Sequence, residues 1–208
     1  MTRSAPSDFS IPYFSQWESP DLVEDIVCNR KRAEEDPRWQ SSDARDVNEY
    51  SRWANHLCGM ACLKMVLAAR TGVVWPTLDL ARAATKYGAY TTEGDKIRGL
   101  IYAPFVTFVR DMFAMRAEVV VGVSVCELEE VMTRAEFFIA SVHHAIRWPE
   151  QKPPRRGGHL VLVTAVSDEA IIFHNPSGHT VRNQKNAVVP RATFERFFAG
   201  RGIAILRG

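Results

Sequence analysis

The sequence reads His56-Leu57-Cys58-Gly59-Met60-Ala61-Cys62-Leu63-Lys64-Met65-Val66-Leu67 at the start of a strongly apolar segment. From Cys58 onward, apolar residues recur at helical spacing, which predicts a buried helix with Cys58 at its N-terminus. Asn55 is a candidate N-cap, and Gly59 has no Cβ to obstruct an approaching substrate. The N-terminal end of a helix favours a thiolate, the nucleophilic form of cysteine. Cys58 is therefore a candidate nucleophile.

Two other interpretations of this segment remain open. A cysteine on an apolar helix can be an unreactive core residue, and Cys62, one turn after Cys58, is expected to be one. A metal held by His56, Cys58 and Cys62 is the weaker alternative, because the sequence contains no second ligand pair at zinc spacing. We expect neither a metal nor a cofactor.

The composition is that of an ordinary soluble globular protein, with 208 residues, 46% hydrophobic and 24% charged. A net charge of +2 gives no basis for binding nucleic acid. Residues 1–10 lack the apolar core of a signal peptide, and no stretch is long enough to span a membrane, so a cytoplasmic location without membrane association is expected. Four irregularly spaced cysteines do not make a disulfide framework. The oligomeric state stays open.

The first half of the chain is predicted to be mainly helical. Residues 10–17 form an extended segment in which Gln16 is the one polar side chain suited to chemistry. The charged segment 21–52 is predicted to be a solvated insertion of helix and loop, with a flap over the site as the alternative. Two further helices are predicted over 78–87 and 101–115, separated by a glycine-rich loop over 88–99.

The second half is predicted to consist mostly of strands. A β-branched run over 117–123 predicts a short buried strand, and a Ser124–Glu127 capping box opens a helix that ends near residue 134. Further strands are predicted over 137–143, 159–166, 170–174 and 202–206, with a short helix over 194–198. Helices followed by antiparallel strands indicate an α+β fold. We expect a single domain with a cleft between a helical lobe, about 10–115, and a sheet lobe, about 116–208.

Candidate partners for Cys58 lie on the predicted hairpin of the second half. His159 begins one strand directly after two glycines, and Asn175 ends the next strand, where its side-chain carbonyl could accept a hydrogen bond from the histidine ring. Cysteine, histidine and asparagine in this arrangement satisfy the roles of nucleophile, base and orienting group. Taken singly, His159 could be a strand-edge histidine and Asn175 a turn residue.

Substrate contacts are expected from residues next to these three. Gly59 and Gly158 flank the nucleophile and the base, and Trp17 follows Gln16. Arg156, with Arg147 and Arg155, indicates an anionic group on the substrate, although loop arginines are more often simply solvated. The expected substrate-binding residues are therefore Gly59, Gly158, Arg156 and Trp17.

In their order along the chain, these motifs resemble the bacteriocin-processing, double-glycine-leader cysteine peptidases of the papain clan and their stand-alone relatives. The matching residues are Gln16, Cys58-Gly59-Met60-Ala61, Gly158-His159-Leu160-Val161-Leu162-Val163 and Asn175-Pro176. The resemblance implies a papain-like cysteine protease fold, with a helical N-terminal lobe and an antiparallel C-terminal sheet. It also implies that Cys58 is the nucleophile, His159 the general base, Asn175 the orienting residue and Gln16 part of the oxyanion hole. Two departures are the charged insertion between Gln16 and Cys58, and asparagine where many relatives carry aspartate.

The function expected from these residues is cleavage of a peptide or amide bond through a thioacyl-enzyme on Cys58. The same residues could instead pass the acyl group to an amine or thiol, which would make the protein an acyltransferase or transpeptidase. A non-catalytic peptide-binding module is the alternative from another class. The partner in each case is a peptide or a small acyl or amide compound, which the sequence does not identify.

Overall fold

The computed structural model describes residues 11–94 and 96–208. The α-helices in this part of the chain are α1 (Val23–Val27), α2 (Val47–Ala54), α3 (Cys58–Thr71), α4 (Thr77–Lys86), α5 (Tyr102–Phe113), α6 (Leu128–Arg134), α7 (Val181–Gln184) and α8 (Arg191–Phe197). The strands are β1 (Tyr90–Glu93), β2 (Lys96–Gly99), β3 (Ala117–Val121), β4 (Ala135–Val142), β5 (His159–Val166), β6 (Ala170–His174), β7 (Ala187–Pro190) and β8 (Phe198–Leu206). Short 3-10 helices lie at Pro20–Leu22, Ala33–Glu35, Trp39–Ser42, Val125–Glu127 and His144–Arg147.

The central helix α3 begins at Cys58, as the sequence predicts. It is buried almost continuously from Gly59 to Ala68, and it ends where Gly72 adopts a left-handed conformation with φ of 72°. The prediction of Asn55 as its N-cap is wrong: Leu57 is the N-cap, and Asn55 ends the preceding helix α2. The chain therefore turns sharply between two helices just before the nucleophile.

A six-stranded antiparallel sheet forms the second half, in the order β3-β8-β4-β5-β6-β7. Alternate residues of β4 face opposite sides of this sheet, as the strand period requires. Phe137 and Ile139 pack in the hydrophobic cluster that includes α3, and Phe138 and Ala140 pack in the cluster formed with residues of α6 and α8. The predicted α+β class is confirmed, and the helical layer on one face of the sheet brings α3 against β5. The lobe boundaries at residues 10–115 and 116–208 stay predictions.

The charged segment 21–52 is mostly exposed, but a few of its side chains are buried and anchor it to the protein. Tyr50 is fully buried, and its hydroxyl donates to the buried carboxylate of Asp36. Ser19 also donates to Asp36 through its hydroxyl at 2.6 Å. The buried carboxylate of Asp36 therefore links the middle of the segment to α2 at its end and to Ser19 before it.

Several predicted elements differ from those observed. The predicted loop over 88–99 contains the hairpin of β1 and β2. The predicted buried strand β3 lies at a sheet edge with Val119 and Val121 exposed, because β-branched composition indicates a strand but not its place in a sheet. Strand β7 and helix α7 were not predicted. In the described part of the chain, no helix has both the length and the apolar character needed to cross a bilayer.

Candidate active site

Cys58 lies at the first turn of α3, where it lines two cavities. Burial raises the pKa of its thiol, while the N–H groups of Leu160 and Gly59 and the positive charge of Arg147 act in the opposite direction. The helix terminus, from which the sequence predicts a thiolate, does favour ionisation, but burial has the larger effect on the pKa of Cys58. The resting form at neutral pH is therefore the thiol.

His159 is the first residue of β5 and pairs with Val142 of β4. The two preceding glycines, Gly157 and Gly158, have φ of 81° and 99°, and this backbone conformation is strained for other residues. Burial, followed by the charge of Arg147, lowers the pKa of His159 to about 3. The imidazole is neutral at pH 7 and can accept a proton.

Hydrogen bonds around His159 determine which ring nitrogen is free. Oδ1 of the fully buried Asn175 accepts from the Ser177 backbone N–H at 3.1 Å, which fixes the orientation of the amide because that N–H can only donate. His159 Nε2 lies 2.9 Å from the same Oδ1 and 2.9 Å from the Ser177 hydroxyl. Nε2 must therefore carry the proton in the neutral ring, which leaves Nδ1 as the unprotonated nitrogen.

Gln16 lies beside the end of α2 and lines the same cavity as Cys58, despite the long segment between them. Its backbone N–H donates to Pro176 O at 2.8 Å, so the extended segment 11–17 runs beside the turn that carries Asn175. Its side-chain Nε2 donates to Ala54 O at 3.2 Å. An amide nitrogen carries two protons, so the second remains available for another acceptor.

Two cavities meet at the cysteine and the histidine. Cys58, Gly158 and His159 line both. The smaller cavity, about 370 Å³, is otherwise lined by residues that include Leu100, Tyr102, Leu160 and Arg201. The larger cavity, about 560 Å³, is lined by residues that include Gln16, Trp17, Lys31, His144 and Arg147. The arrangement resembles a cleft with the candidate nucleophile and base at its middle.

Two solved structures with the same fold are described as peptidases. One is the peptidase domain of Streptococcus ComA, a bifunctional ABC transporter involved in quorum sensing, at a TM-score of 0.51 and 16% identity over 73% of this chain and 92% of that domain. Another is a Bacillus anthracis protein described as a C39-like peptidase, at a TM-score of 0.50 and 16% identity over 73% of this chain and 89% of that one. The chain has the papain-like fold of these peptidases. No family model and no curated protein match the sequence.

Of the four residues expected to contact the substrate, only some line the cavities. Gly158 and Trp17 line the larger cavity. A Cβ on Gly59 would lie 2.9 Å from Leu100 Cδ2 and 3.0 Å from Leu160 Cδ1. The space left by the missing Cβ is therefore filled by the side chains of two leucines and is not open to a substrate. Arg156 pairs with Glu195 at 3.1 Å on the exposed surface and does not line either cavity. These positions give Gly59 a packing role and leave Arg156 outside the cleft.

Two residues that the sequence argument did not place in the site contact its polar network. Ser177 bonds both Asn175 and His159, and its only sequence signal is that it follows Asn175 by two positions. Arg147, which the sequence links only to an anionic group on the substrate, donates from Nε to Ser177 O at 2.7 Å and to Ser177 Oγ at 3.0 Å. The bonds of Ser177 to His159 and to Arg147 could not be inferred from local sequence, because they join residues 18 and 30 positions apart.

The metal alternative for His56, Cys58 and Cys62 finds no geometric support. Over residues 11–94 and 96–208, no three histidine, cysteine, aspartate or glutamate side chains converge on a possible metal position. Cys62 is fully buried and contacts Leu160 O at 3.8 Å, and burial raises its pKa well above that of a free thiol. Cys62 is a core cysteine.

Proposed function

We propose that this protein is a cysteine hydrolase that cleaves a peptide or amide bond. The observation that carries the proposal is the set of hydrogen-bond contacts at Nε2 of His159. Its Nε2–H is held by Asn175 Oδ1, so its unprotonated nitrogen is Nδ1. Cys58 lines the same cavities as this histidine. A thiol and a neutral imidazole with one free nitrogen form a nucleophile–base pair.

The proposed reaction begins with transfer of the Cys58 proton to Nδ1 of His159 as Sγ attacks the carbonyl carbon. The tetrahedral oxyanion accepts hydrogen bonds from the second N–H of Gln16 and from a backbone N–H at the start of α3. The C–N bond then breaks, and the imidazolium gives its proton to the leaving amine. Water, deprotonated by His159, attacks the thioester, and cleavage of the C–S bond releases the acid and restores the thiol.

Asn175 and the pKa shifts of the pair each have a part in the proposed reaction. Asn175 Oδ1 holds the ring in the required tautomer, and it accepts from the imidazolium as readily as from the neutral ring because Nε2 is protonated in both. The raised pKa of Cys58 and the lowered pKa of His159 both favour the neutral pair before substrate binds. The charge separation therefore occurs during attack on the carbonyl, when the oxyanion donors act.

The test is cleavage of a proteome-derived peptide library, with new chain ends identified by mass spectrometry. We expect Cys58→Ala to abolish cleavage and His159→Ala to lower the rate by about 10²–10⁴-fold, the usual contribution of a general base. Cys126→Ser is the matched control because Cys126 is an exposed free cysteine that lines neither cavity. Cleavage that persists at full rate in Cys58→Ala would contradict the proposal.

A further inference from the structure

The larger cavity carries an excess of positive charge. Lys31, Arg32 and Arg147 line it, and the one acidic residue among its described lining residues is Glu34. Arg32 is 79% exposed at its side chain and lies 3.9 Å from Glu35. Arg147 is half-buried and lies beside the proposed catalytic residues, so it is the cation best placed to contact a substrate.

Arg147 differs from other half-buried arginines of the protein in lacking an acidic partner. Arg70 pairs with Glu136 at 2.6 Å, and Arg82 pairs with Asp43 and with Glu49. Arg147 Nε is bonded only to the carbonyl and hydroxyl of Ser177. Within the described residues, its two Nη atoms have neither a hydrogen bond nor an ion pair with any side chain. Burial lowers its pKa to about 10, so the guanidinium remains charged at neutral pH.

A guanidinium in this state fits a carboxylate. Its Nε edge is fixed by Ser177, so the plane of the group is held while the Nη protons remain available to a ligand. Carboxylates bind such a planar donor pair through two parallel hydrogen bonds, which a lysine cannot reproduce. Leaving a partly buried charge without a partner is costly, and an anionic ligand removes that cost.

We infer that the substrate carries a carboxylate that binds Arg147 in the larger cavity, beside the bond that is cleaved. This inference rests on the proposed function and specifies its substrate class. The carboxylate can belong to an aspartate or glutamate side chain or to a free C-terminus, which present the same group to the arginine. Arg147 would then determine specificity without taking part in proton transfer.

A purely structural role is the competing explanation, since Arg147 also holds the turn of Ser177. Its charge also lowers the pKa of Cys58 and of His159. A useful experiment must therefore separate recognition of an anion from an effect on thiol reactivity. Two alkylating reagents of nearly equal size make this separation, because iodoacetate carries a carboxylate and iodoacetamide carries a neutral amide.

The measurement is the rate of Cys58 alkylation by each reagent, followed by mass spectrometry of the peptide that contains Cys58 and Cys62. Sγ displaces iodide from either reagent, so the iodoacetamide rate reports thiol reactivity and the ratio of rates reports recognition of the carboxylate. We expect Arg147→Gln to lower the iodoacetate-to-iodoacetamide ratio by about 10-fold, as for loss of a charged hydrogen bond. Arg147→Lys should give an intermediate ratio. Arg110→Gln, which removes an exposed arginine on α5, is the control and should leave the ratio unchanged.

The outcomes separate the inference from the proposed function. Reaction of Cys58 with an equal ratio in wild type and Arg147→Gln would overturn the inference alone. Failure of both reagents to modify Cys58, under conditions in which exposed Cys28 reacts, would overturn the proposed function and the inference with it. If Arg156→Gln, and not Arg147→Gln, lowered the iodoacetate-to-iodoacetamide ratio, the carboxylate would bind Arg156, and the inference would also be overturned. Thermal unfolding of each variant establishes that it is folded.

The peptide library gives the second readout and identifies the source of the carboxylate. We expect cleaved peptides to be enriched in aspartate or glutamate near the scissile bond, or to carry a free C-terminus within a few residues of it. Matched glutamate and glutamine peptides test the first source, and matched free and amidated C-termini test the second. Arg147→Gln should lower the preference for the carboxylate-containing peptide by at least about 10-fold, in whichever pair the wild type shows that preference. Equal cleavage within both pairs by the wild type would contradict the inference.

Discussion

The two sides of the candidate active site are held in place by different forces. On the cysteine side, Cys58 begins a buried helix whose Gly59 packs against Leu100 and Leu160, and Gln16 adds a single side-chain bond to Ala54 O. On the histidine side, His159, Asn175 and Ser177 are joined by hydrogen-bond contacts of 3.2 Å or less. Packing fixes the first side, and a network of donors and acceptors fixes the second.

This difference determines which perturbations each side will resist. A packed position depends on volume, so it is disturbed by added or removed atoms and is indifferent to protonation. A hydrogen-bonded position depends on which atoms carry protons, so it is disturbed by pH and by loss of one donor or acceptor. The cysteine side should therefore keep its geometry when Gln16 is removed, whereas the histidine side should weaken in acid.

The largest effect is expected from Gln16→Ala on the cysteine side. If Gln16 donates to the oxyanion, its loss should lower the rate of peptide cleavage by ~10²–10³-fold. Alkylation of Cys58 by iodoacetamide should continue at nearly the wild-type rate, because displacement of iodide forms no oxyanion and packing still holds the helix. The two rates, measured on the same preparation, test this separation.

Gln184→Ala is the matched control for Gln16→Ala. Gln184 Nε2 also donates to backbone carbonyls, those of Pro20 at 2.9 Å and Gly178 at 3.0 Å, but its side chain lines neither cavity. It should lower stability without the specific loss of cleavage. If Gln16→Ala abolished alkylation as well, Gln16 would be a structural residue, and if cleavage were intact, the oxyanion hole would require a different donor.

The next effect concerns the histidine side and its pH dependence. The pKa of His159 is about 3 in the folded protein, against about 6.5 in an unfolded chain. Between these values the unfolded state binds a proton that the folded state excludes, so the free energy of unfolding decreases as pH falls. The expected contribution of His159 to the loss from pH 7 to pH 5 is ~2 kcal/mol, measured by urea unfolding followed by tryptophan fluorescence.

His159→Gln provides the comparison for this measurement because it removes the titrating group. Part of the acid sensitivity should remain, since burial also lowers the pKa of His174, whose Nδ1 accepts from the Asn186 N–H at 3.1 Å. The decrease between pH 7 and pH 5 should nevertheless be smaller in the variant by ~2 kcal/mol. An identical decrease in both proteins would show that His159 is not held in its neutral form.

The sequence predicted those features that depend on local pattern. Helix α3 begins at Cys58, strands β5 and β6 have their predicted bounds, and the Ser124 capping box is present. Apolar periodicity and a capping pair each act within a few residues, so a single sequence contains the information. The hairpin of β5 and β6 also brings His159 and Asn175 to neighbouring strand ends.

Features that depend on long-range contacts could not be predicted in the same way. Arg147 bonds Ser177, 30 residues later, and Gln16 bonds Pro176 across almost the whole chain. The pKa of Cys58 was also misjudged, because the helix terminus can be read from sequence but the extent of burial cannot. The hairpin of β1 and β2 was missed because its strands are short and only their residues Tyr90 and Ile97 are buried, which leaves little alternation to detect.

The smallest expected effects come from adding a methyl group to one glycine on each side of the site. Gly59→Ala places a Cβ against Leu100 and Leu160, and we expect a loss of ~1 kcal/mol in unfolding free energy, because overpacking is partly offset by the better helix propensity of alanine. Gly158→Ala meets no atom closer than 3.8 Å, but its φ of 99° is unfavourable for alanine and should cost ~1–2 kcal/mol. Urea unfolding of each variant measures both losses.

A double-mutant cycle with Leu100→Ala distinguishes the two mechanisms. Trimming Leu100 removes the side-chain atom nearest the new Cβ at position 59, so Gly59→Ala should cost less, or become stabilising, in the Leu100→Ala background. Gly158→Ala should cost the same in both backgrounds, because backbone strain does not depend on a neighbouring side chain. If both glycine substitutions cost the same in the wild type and in the Leu100→Ala background, Gly59 is not fixed by packing against Leu100. The position of the cysteine side would then need another explanation.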